Sequence, residues 1–383
     1  MKCITKDEIR DYASSCGIDL IGFAEPDCLV KYHDLLKERE NNNYSCPIEE
    51  KNYEKRINPR LIMDNIRSII SIAVSYNVDY VHEKPQKGYG IISRTSWGTD
   101  YHAVLKNKMD KLGGFIKSRC PDVELKCLVD NNPLLERAIA YNAGIGFYGK
   151  NSMIINEEYG SYIFLGEILC SIYFEPDTPV ESKCGECELC LKACPGQAIV
   201  EPFKINANRC LSFATINKGY LDDKTVIKMG RRIYGCDTCQ KVCPYNKWAK
   251  KVSRPEFVPD KLKPKHDLTD ILNMDNKKFK QVFGPTASSW RGKRTIIRNA
   301  IIACANTNEK NCINTLKKIL YGDNSYLRGY SAWALSVIGG KELSKDIDEV
   351  LGKEGDERSK KMMIDALKKL KGDVFEDNTG RGI

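Results

Sequence analysis

The sequence has little that would place it in a membrane or in a secretory pathway. No apolar run approaches the roughly 18 residues that a membrane-spanning helix needs, and the richest apolar stretch, residues 69–74, has only the length of a strand. The opening residues, MKCITKDEIRDYA, contain no apolar segment typical of a signal peptide. We therefore expect a cytoplasmic protein with no membrane partner.

The usual nucleotide-binding motifs are also missing. No P-loop occurs in the sequence. The spacing Gly-x-Gly-x-x-Gly does occur at Gly144, Gly146 and Gly149, but it follows a predicted helix, whereas a dinucleotide-binding motif follows a strand. The sequence therefore gives no support for a nicotinamide or nucleoside triphosphate cofactor.

The composition is that of an ordinary globular protein with one strongly basic segment. The 383 residues are 42% hydrophobic and 29% charged, which suggests two or three folded domains. The formal net charge is +9, and residues 277–330 alone hold 11 Lys and Arg against two acidic residues. Because this segment also contains Trp290 and Tyr326, it favours binding to an RNA backbone with base stacking. The alternative is an ordinary solvated helical face.

The order of predicted elements indicates four segments. Strands alternate with helices over residues 1–175, which predicts an α/β domain, and residues 176–250 are rich in Cys and predict short helices. Residues 251–285 hold several prolines and many charges, as a connector does. Residues 286–375 show a helical pattern in which RNAIIACA and RGYSAWAL resemble copies of one helix, 30 residues apart. Because that spacing is short for a HEAT repeat of about 40 residues, we predict a HEAT-like helical domain that packs on the rest of the protein.

Cysteine is the strongest chemical signal in the chain. There are 17 Cys, and clustered Cys in a reducing compartment usually bind a metal. A run C-x2-C-x2-C-x3-C-P begins at Cys184 and has the spacing of a bacterial ferredoxin, in which the fourth Cys binds the other of two clusters. A shorter run, C-x2-C-x3-C-P, begins at Cys236, and Cys210 is the nearby candidate for its missing ligand.

We therefore predict a ferredoxin-like domain with two [4Fe–4S] clusters. The alternative is a pair of zinc sites, but zinc prefers four-Cys sets built from C-x2-C pairs. The predicted ligands of the first cluster are Cys184, Cys187, Cys190 and Cys243, and those of the second cluster are Cys194, Cys210, Cys236 and Cys239.

Several segments together resemble a known family. They are EKRINP (54–59), SRTSWGTDYH (93–102), LVDNNPLLERAIAYNAGIGFYGKNSMI (128–154), GSYIFLGEIL (160–169), RCLSFATINKG (209–219), RRIYGCDTCQKVCPYNK (231–247) and SWRGKRTIIRNA (289–300). In this order they resemble the epoxyqueuosine reductases, cobalamin-dependent iron–sulfur enzymes related to reductive dehalogenases. The resemblance runs over nearly the whole chain. It implies a cobalamin-binding α/β catalytic domain that reduces epoxyqueuosine to queuosine at the wobble base of tRNA, with two electrons and two protons and the release of water.

Asp130 is the catalytic residue that the resemblance implies. It follows a predicted strand, and in the family the Asp of this Val-Asp turn is the proton donor. To donate near neutral pH it must be partly protonated, and we expect burial against a corrin and a nucleobase to raise its pKa. The family more often has Val-Asp-Thr-Gly here, whereas this chain has Val129-Asp130-Asn131-Asn132. The alternative is that Asp130 only caps the following helix.

The resemblance also implies a set of cofactor-binding and RNA-binding residues. No His lies in the motif Asp-x-His-x-x-Gly, so we expect cobalamin without a protein His ligand, and His102 to pack or to form a hydrogen bond. The predicted cobalamin-binding residues are Arg56, Ser93, Asp130, Lys150, Asn151, Ser152, Leu165 and Ser212. The predicted tRNA contacts are Lys218, Trp290, Arg291, Lys293, Arg294, Arg298 and Arg328.

The expected partners are a tRNA anticodon stem-loop carrying epoxyqueuosine and a low-potential electron donor of the ferredoxin or flavodoxin type. We expect a monomer. Two alternatives remain at this point: a dehalogenase-like cobalamin enzyme acting on a small molecule, and a two-cluster electron carrier without catalytic activity. The basic helical segment argues against the first, and the long α/β segment argues against the second.

Overall fold

The computed structural model describes residues 4–80, 88–259 and 263–372. None of the helices in these ranges is both long enough and apolar enough to cross a bilayer. The last residues of the predicted helical domain, 373–375, lie outside the described residues.

The strands are short, and most of them lie in the first half of the chain. In chain order they are β1 (Leu20–Ala24), β2 (Ser68–Ser75), β3 (Tyr89–Ile92), β4 (Leu125–Leu128), β5 (Phe147–Tyr148), β6 (Ile154–Ile155), β7 (Ile163–Cys170), β8 (Ile199–Glu201), β9 (Lys204–Ile205), β10 (Arg232–Tyr234) and β11 (Lys265–Asp267).

The longest helix of the described residues, Tyr101–Arg119, has 19 residues, and the three helices of 14 or 15 residues lie towards the end of the chain. In chain order the helices are α1 (Lys6–Ser15), α2 (His33–Asn41), α3 (Tyr53–Ile57), α4 (Tyr101–Arg119), α5 (Glu136–Asn142), α6 (Leu189–Ala193), α7 (Leu211–Ile216), α8 (Asp223–Met229), α9 (Thr238–Lys241), α10 (Pro244–Lys247), α11 (Leu268–Leu272), α12 (Asn276–Val282), α13 (Lys293–Asn306), α14 (Ile313–Leu320), α15 (Ser325–Ile338), α16 (Ser344–Leu351) and α17 (Glu357–Lys371).

The main sheet has four strands in the order β1-β2-β7-β4, and every neighbouring pair is antiparallel. The central strand β2 is buried along its whole length, because helices cover both faces of the sheet. On one face Ile70 and Ile72 pack with Leu105 and Met109 of α4, and on the other face Ile69 and Ala73 pack with α5. A strand rich in β-branched residues with no polar side is more typical of a parallel sheet. In this chain, however, the fully buried strand is antiparallel to both of its neighbours.

A second sheet joins three of the predicted segments. β3, from the predicted catalytic domain, pairs in parallel with β10 from the Cys-rich segment and antiparallel with β11 from the predicted connector. The four residues of β3 therefore pair with strands that are more than 140 residues away in the sequence. The predicted connector itself contains α11 and α12, and α11 packs on α13.

The helical end of the chain has two layers. α15 contacts α13 and α17 in one layer, and α14 contacts α16 in the other. The two segments predicted to be copies of one helix, RNAIIACA and RGYSAWAL, lie in α13 and α15. α13 also contacts α7, α8 and β10, so this layered unit packs on the Cys-rich segment, as expected.

Candidate functional site

The candidate site is built around the loop between β4 and α5. Asp130 lies in this loop with φ at 49°, a left-handed conformation that Asp and Asn adopt more readily than most residues. Its backbone N–H donates to Glu136 Oε1 over 2.5 Å, which fixes the loop on the first residue of α5. The N-cap of α5 is Leu135. Asp130 therefore does not cap this helix, and its carboxylate is not used as a helix cap.

The first turn of α4 supplies the partners of that carboxylate. Tyr101 Oη donates to Asp130 Oδ2 over 2.8 Å, and His102 Nε2 lies 3.4 Å from the same oxygen. The N-cap Asp100 accepts from the backbone N–H of His102 and lies 2.7 Å from its Nδ1. The ring of Tyr101 stacks on Phe164 of β7 at 4.3 Å. The start of α4 is thus held against the sheet, with two side chains aimed at Asp130.

These contacts set the charge of the site. The interaction with His102, reinforced by Tyr101, lowers the pKa of Asp130, and the two carboxylates in turn raise the pKa of His102 to about 9. An ion pair of imidazolium and carboxylate is therefore present at neutral pH. The raised Asp130 pKa was expected for burial against a corrin and a nucleobase, and it stays a prediction; among the protein groups, the neighbouring imidazolium and phenol stabilise the anion more than burial destabilises it.

Two cavities meet at this loop. One has a volume of about 320 Å³ and the other about 720 Å³, and Asp130, Glu136 and Arg137 line both of them. The smaller cavity continues to Tyr234 of β10 and to Ile216 of α7. Asp130 therefore lies where residues from the α/β segment and the Cys-rich segment enclose a common space.

Four of the predicted cobalamin-binding residues line the two adjoining cavities. Leu165 and Ser212 line the smaller cavity, and Arg56 and Ser152 line the larger one. Ser152 also has a left-handed backbone, with φ at 57°, and its Oγ donates to Phe203 O over 2.9 Å. The structure thus brings four of these residues and Asp130 around two adjoining cavities.

Two more predicted residues, Lys150 and Asn151, line a third cavity of about 450 Å³. Asn151 is buried, and its Nδ2 group has no hydrogen-bond partner, so it is a donor open to a ligand. Ser93 lies apart from all three cavities. Its Oγ donates to Asp237, and it packs so closely under Gly235 that a Cβ there would approach the Ser93 Cβ to 2.4 Å. Because this hydroxyl is already bonded, Ser93 holds β3 to the second Cys run, and it lines a separate cavity of about 360 Å³ together with Cys236 and Asp237.

The eight predicted cluster ligands fall into two sets of thiols. Cys184, Cys187, Cys190 and Cys243 all line the third cavity. No three His, Cys, Asp or Glu side chains of the described ranges converge as one metal ion would require. Four thiols that border a cavity suit a polynuclear cluster better than a single ion.

The second set lies at the other side of α6 and α9. Burial raises the pKa of Cys239 to about 12, and Cys236, Cys210 and Cys194 are close enough to raise it further. Backbone and side-chain N–H groups already point at two of these sulfurs, from Ala198 to Cys194 and from Arg232 to Cys236. The four thiols of the second predicted set therefore lie near one another, and N–H donors are in place that could stabilise bound thiolates.

Comparisons with known proteins agree with this geometry. Residues 56–131 match the family model described as epoxyqueuosine reductase QueG, DUF1730, and residues 183–246 match a 4Fe-4S double cluster binding domain. The epoxyqueuosine reductase of Bacillus subtilis (strain 168) is 42% identical over 96% of both chains. The chain belongs to the epoxyqueuosine reductase family.

Solved structures of epoxyqueuosine reductase have the same fold. One is a crystal structure with an epoxyqueuosine-modified tRNA-Tyr stem loop, and it has a TM-score of 0.91 at 41% identity, covering 96% of this chain and 98% of that chain. Another, from Bacillus subtilis, has its aspartate catalytic loop swung out of the active site, with a TM-score of 0.91 at 41% identity and coverage of 95% and 98%.

Some of the residues predicted to contact RNA are exposed in the structure, and others are enclosed. Trp290 is 54% exposed, and the guanidinium of Arg291 stacks on its ring at 3.8 Å. Lys218 and Arg294 are exposed, and Lys293 is partly exposed at the start of α13. Trp290 Nε1 donates over 3.2 Å to the hydroxyl of Tyr234, which lines the smaller cavity. This exposed group therefore lies at the rim of the site that contains Asp130.

Two of the predicted RNA contacts have structural roles instead. Arg298 is fully buried and donates to the backbone carbonyls of Ala214, Asn217 and Gly219. Arg328 forms a two-bond ion pair with Glu354, at 2.8 Å for each bond. The prediction for Arg298 is wrong because its guanidinium is enclosed, and Arg328 is already neutralised. A charge count along the sequence cannot distinguish such residues from free surface charges.

Sequence reasoning missed two acidic residues of this family member's site. Glu136 lines both cavities at Asp130, and Glu167 is fully buried in β7. The available signal was Glu167 itself, the one charged residue in the apolar run IFLGEILC. A charge in such a run is rarely buried without a function or a partner.

Proposed function

We propose that this protein reduces epoxyqueuosine to queuosine at the wobble position of tRNA in the cytoplasm, as the last step of queuosine biosynthesis. The observation that carries the proposal is the position of Asp130. Its carboxylate lies in the wall of a cavity between the Cys-rich segment and an exposed Trp and Arg pair. The family relation supports the same reaction, since relatives at about 40% identity bear the name of this reductase.

The chain offers a fitting pocket for cobalamin. The adjoining cavities of about 320 and 720 Å³ would hold the cofactor through Leu165, Ser212, Arg56 and Ser152. Cobalamin, when bound, supplies the electron-rich cobalt that the reduction requires. The protein orients the substrate beside Asp130 and keeps water out of the enclosed wall.

Helix α7 connects the second thiol set to this pocket. Cys210 is the residue directly before α7, and Ser212 and Ile216 of the same helix line the smaller cavity. A helix rises about 1.5 Å per residue, so the two features lie only a few ångström apart along the helix axis. This placement supports the proposal that a [4Fe–4S] cluster on the second set delivers electrons to the pocket.

The first thiol set faces the outside of the molecule. Leu189 and Trp248 border the cavity of this set, and they are 49% and 78% exposed. Exposed large apolar side chains beside a redox centre are suited to a transient docking surface. We propose that a ferredoxin- or flavodoxin-type donor docks here, and that the protein acts as a monomer.

Asp130 is the proposed proton donor to the epoxide oxygen. The reduction takes up two electrons and two protons, breaks both C–O bonds and forms one C=C bond and one water molecule. One solved relative has its aspartate catalytic loop swung out of the active site. We propose that the loop of Asp130 is its counterpart.

The tRNA is proposed to approach over Trp290. The anticodon stem-loop would place its phosphates along Arg291, Lys293 and Arg294 and its wobble base through the rim at Tyr234, beside Asp130. Stacking on an exposed aromatic ring is a usual way of holding an unpaired RNA base. A small-molecule substrate would leave this basic, aromatic rim without a use.

The test is turnover by the reconstituted enzyme. Asp130→Asn should keep the corrin and iron–sulfur absorption bands and should lose at least about 10²-fold in the rate of epoxyqueuosine reduction in a tRNA stem-loop, because an amide cannot donate the proton. Asp122→Asn, at an exposed turn, is the matched control and should retain full activity. Wild-type activity in Asp130→Asn would remove Asp130 from the mechanism, and an inactive wild type loaded with both cofactors would refute the proposed reaction.

A further inference from the structure

One of the predicted cluster thiols, Cys236, receives a hydrogen bond from a cationic side chain. Arg232 is the first residue of β10, and its Nε–H donates to Cys236 Sγ over 3.2 Å. Within the described ranges, no Lys or Arg side chain donates a hydrogen bond to a sulfur of the first thiol set. A cationic donor therefore distinguishes the second thiol set from the first.

The guanidinium of Arg232 is held in place from two sides. Its Nη1 group donates to the carbonyl oxygens of Lys228 and Met229 in α8, over 3.4 and 3.1 Å. Its Nη2 group donates to Thr238 Oγ1 in α9 over 2.9 Å. The pairing of β10 with β3 fixes the backbone that carries this side chain. The Nε–H group is therefore directed at the sulfur before any cluster binds, because the planar guanidinium cannot turn without breaking its other bonds.

Thr238 supplies a second donor to the same sulfur. Its Oγ1 lies 3.4 Å from Cys236 Sγ, and this oxygen already accepts a hydrogen bond from Arg232, so its own proton is available to the sulfur. A cysteine that binds a cluster iron is a thiolate and has no proton to donate. Both contacts are then donated to the sulfur, and the arginine keeps its full positive charge because it does not lose its proton in proteins.

Donors to the sulfur of a cluster ligand change the redox equilibrium of that cluster. Reduction adds one negative charge, and a nearby cation or hydrogen-bond donor stabilises the reduced form more than the oxidised form, which raises the reduction potential. The cavity of about 360 Å³ beside Cys236 is lined by three cations, Arg231, Arg232 and Lys241, and by one acid, Asp237. The cations outnumber the acid beside this sulfur, so the surroundings favour the reduced cluster.

We infer that Arg232 is a positioning residue that raises the reduction potential of the [4Fe–4S] cluster on the second thiol set. The inference deepens the proposed function and rests on it, because there electrons enter at the first set and leave from the second. One electron passes from the reduced cluster of the first set to the oxidised cluster of the second set, and no bond or proton is transferred with it. Arg232 shifts this equilibrium towards the second set and so holds the electron next to α7, which lines the pocket.

The first test is a redox titration of the protein loaded with both clusters, followed by electron paramagnetic resonance of the reduced clusters. Arg232→Gln should favour the oxidised form of one cluster about tenfold, a downward shift of about 59 mV for one electron, and should leave the other potential unchanged. Arg232→Lys, which keeps a cation, should shift it less. Lys241→Gln removes an exposed charge from the same cavity and should leave both potentials nearly unchanged, because water screens that charge. Wild-type potentials in Arg232→Gln would overturn the inference.

The second test uses the wild-type chain and stays decisive if Arg232→Gln does not fold. In protein whose arginine guanidinium groups carry ¹⁵N, pulsed electron paramagnetic resonance should detect a ¹⁵N coupling in the signal of one reduced cluster and not of the other. Labelled protein in which neither cluster shows this coupling would overturn the inference. An enzyme that shows the coupling but does not reduce epoxyqueuosine in a tRNA stem-loop would refute the proposed function and leave the contact of Arg232 with the cluster intact.

Discussion

At the scale of single residues, the site depends on backbone conformations that most side chains avoid. Asp130 and Ser152 both have positive φ, at 49° and 57°, and both line the larger cavity. Conformations of this kind persist only where surrounding contacts hold them, and they concentrate at functional sites. The family more often has Thr-Gly after this Asp, and the Asn131-Asn132 of this chain keeps the turn because Asn132 bonds to Leu134 N and to Glu136.

The charge state of His102 gives a residue-scale prediction. Its carboxylate partners raise its folded-state pKa from 6.5 to about 9, so the protonated ring stabilises the fold. That contribution is fully present below pH 6.5 and is lost as the pH rises through about 9. The difference in thermal midpoint between the wild type and His102→Gln should therefore be largest below pH 6.5 and should shrink above pH 9. A difference that stays constant over this range would show that His102 is not charged in the folded protein.

At the scale of elements, helix α13 has one arginine that stabilises the fold and another that is exposed at the surface. Within α13, Arg298 faces inward and bonds to the carbonyls at the end of α7, whereas Arg294, four residues earlier, is exposed. Cys210 of the second thiol set directly precedes α7, and α7 lines the smaller cavity. Arg298 therefore fixes the position of the helix that lies between this thiol set and the pocket.

The two arginines give an element-scale prediction. Arg298→Ala should lower the free energy of unfolding by about 3 kcal/mol or more, since it leaves three buried carbonyls without a donor. Arg294→Ala should change it by less than about 0.5 kcal/mol and should weaken binding of the tRNA stem-loop. Denaturant unfolding and a binding titration on both variants measure this. Equal stability of the two variants would contradict the structural role of Arg298.

At the scale of the whole molecule, the short sheet β10-β3-β11 joins segments that look separate in the sequence. β3 lies between strands from the Cys-rich segment and from the predicted connector. The smaller cavity needs Leu165, Ser212 and Tyr234 from different segments, so the pocket exists only when these parts are packed together. The same packing places Trp290 over Tyr234 and brings the basic surface to the rim of the pocket.

Salt dependence gives the prediction at this scale. The exposed cations at the start of α13 are proposed to bind tRNA phosphates, and each such contact releases counterions. Lys293→Glu/Arg294→Glu should therefore weaken tRNA binding and reduce the slope of log K against log salt by about 2. Lys106→Glu/Lys111→Glu, with the same charge change on exposed residues of α4, is the control. An unchanged slope in the first variant would remove this surface from the RNA-binding site.

Local sequence patterns were sufficient to predict several features of this chain. The alternation of strands and helices in residues 1–175 follows from side-chain periodicity, which acts over a few residues. The prediction of two clusters follows from spacing, because C-x2-C-x2-C-x3-C-P is a ferredoxin run, whereas Cys210, 26 residues before Cys236, was assigned as the nearby candidate. The family itself was identified from motifs in their order along the chain.

The remaining features depend on contacts between residues distant in sequence. The antiparallel order of the main sheet, the burial of Arg298 and the pairing of Arg328 with Glu354 cannot be read from local charge or periodicity. The ionisation of the site is of the same kind, because His102 and Tyr101 of α4 lie beside Asp130 and lower its pKa. Motifs and composition were enough to identify the chemical groups of this protein and its family. Which of those groups are charged, enclosed or exposed depends on the folded chain, because desolvation and Coulomb interactions depend on distances that only folding sets.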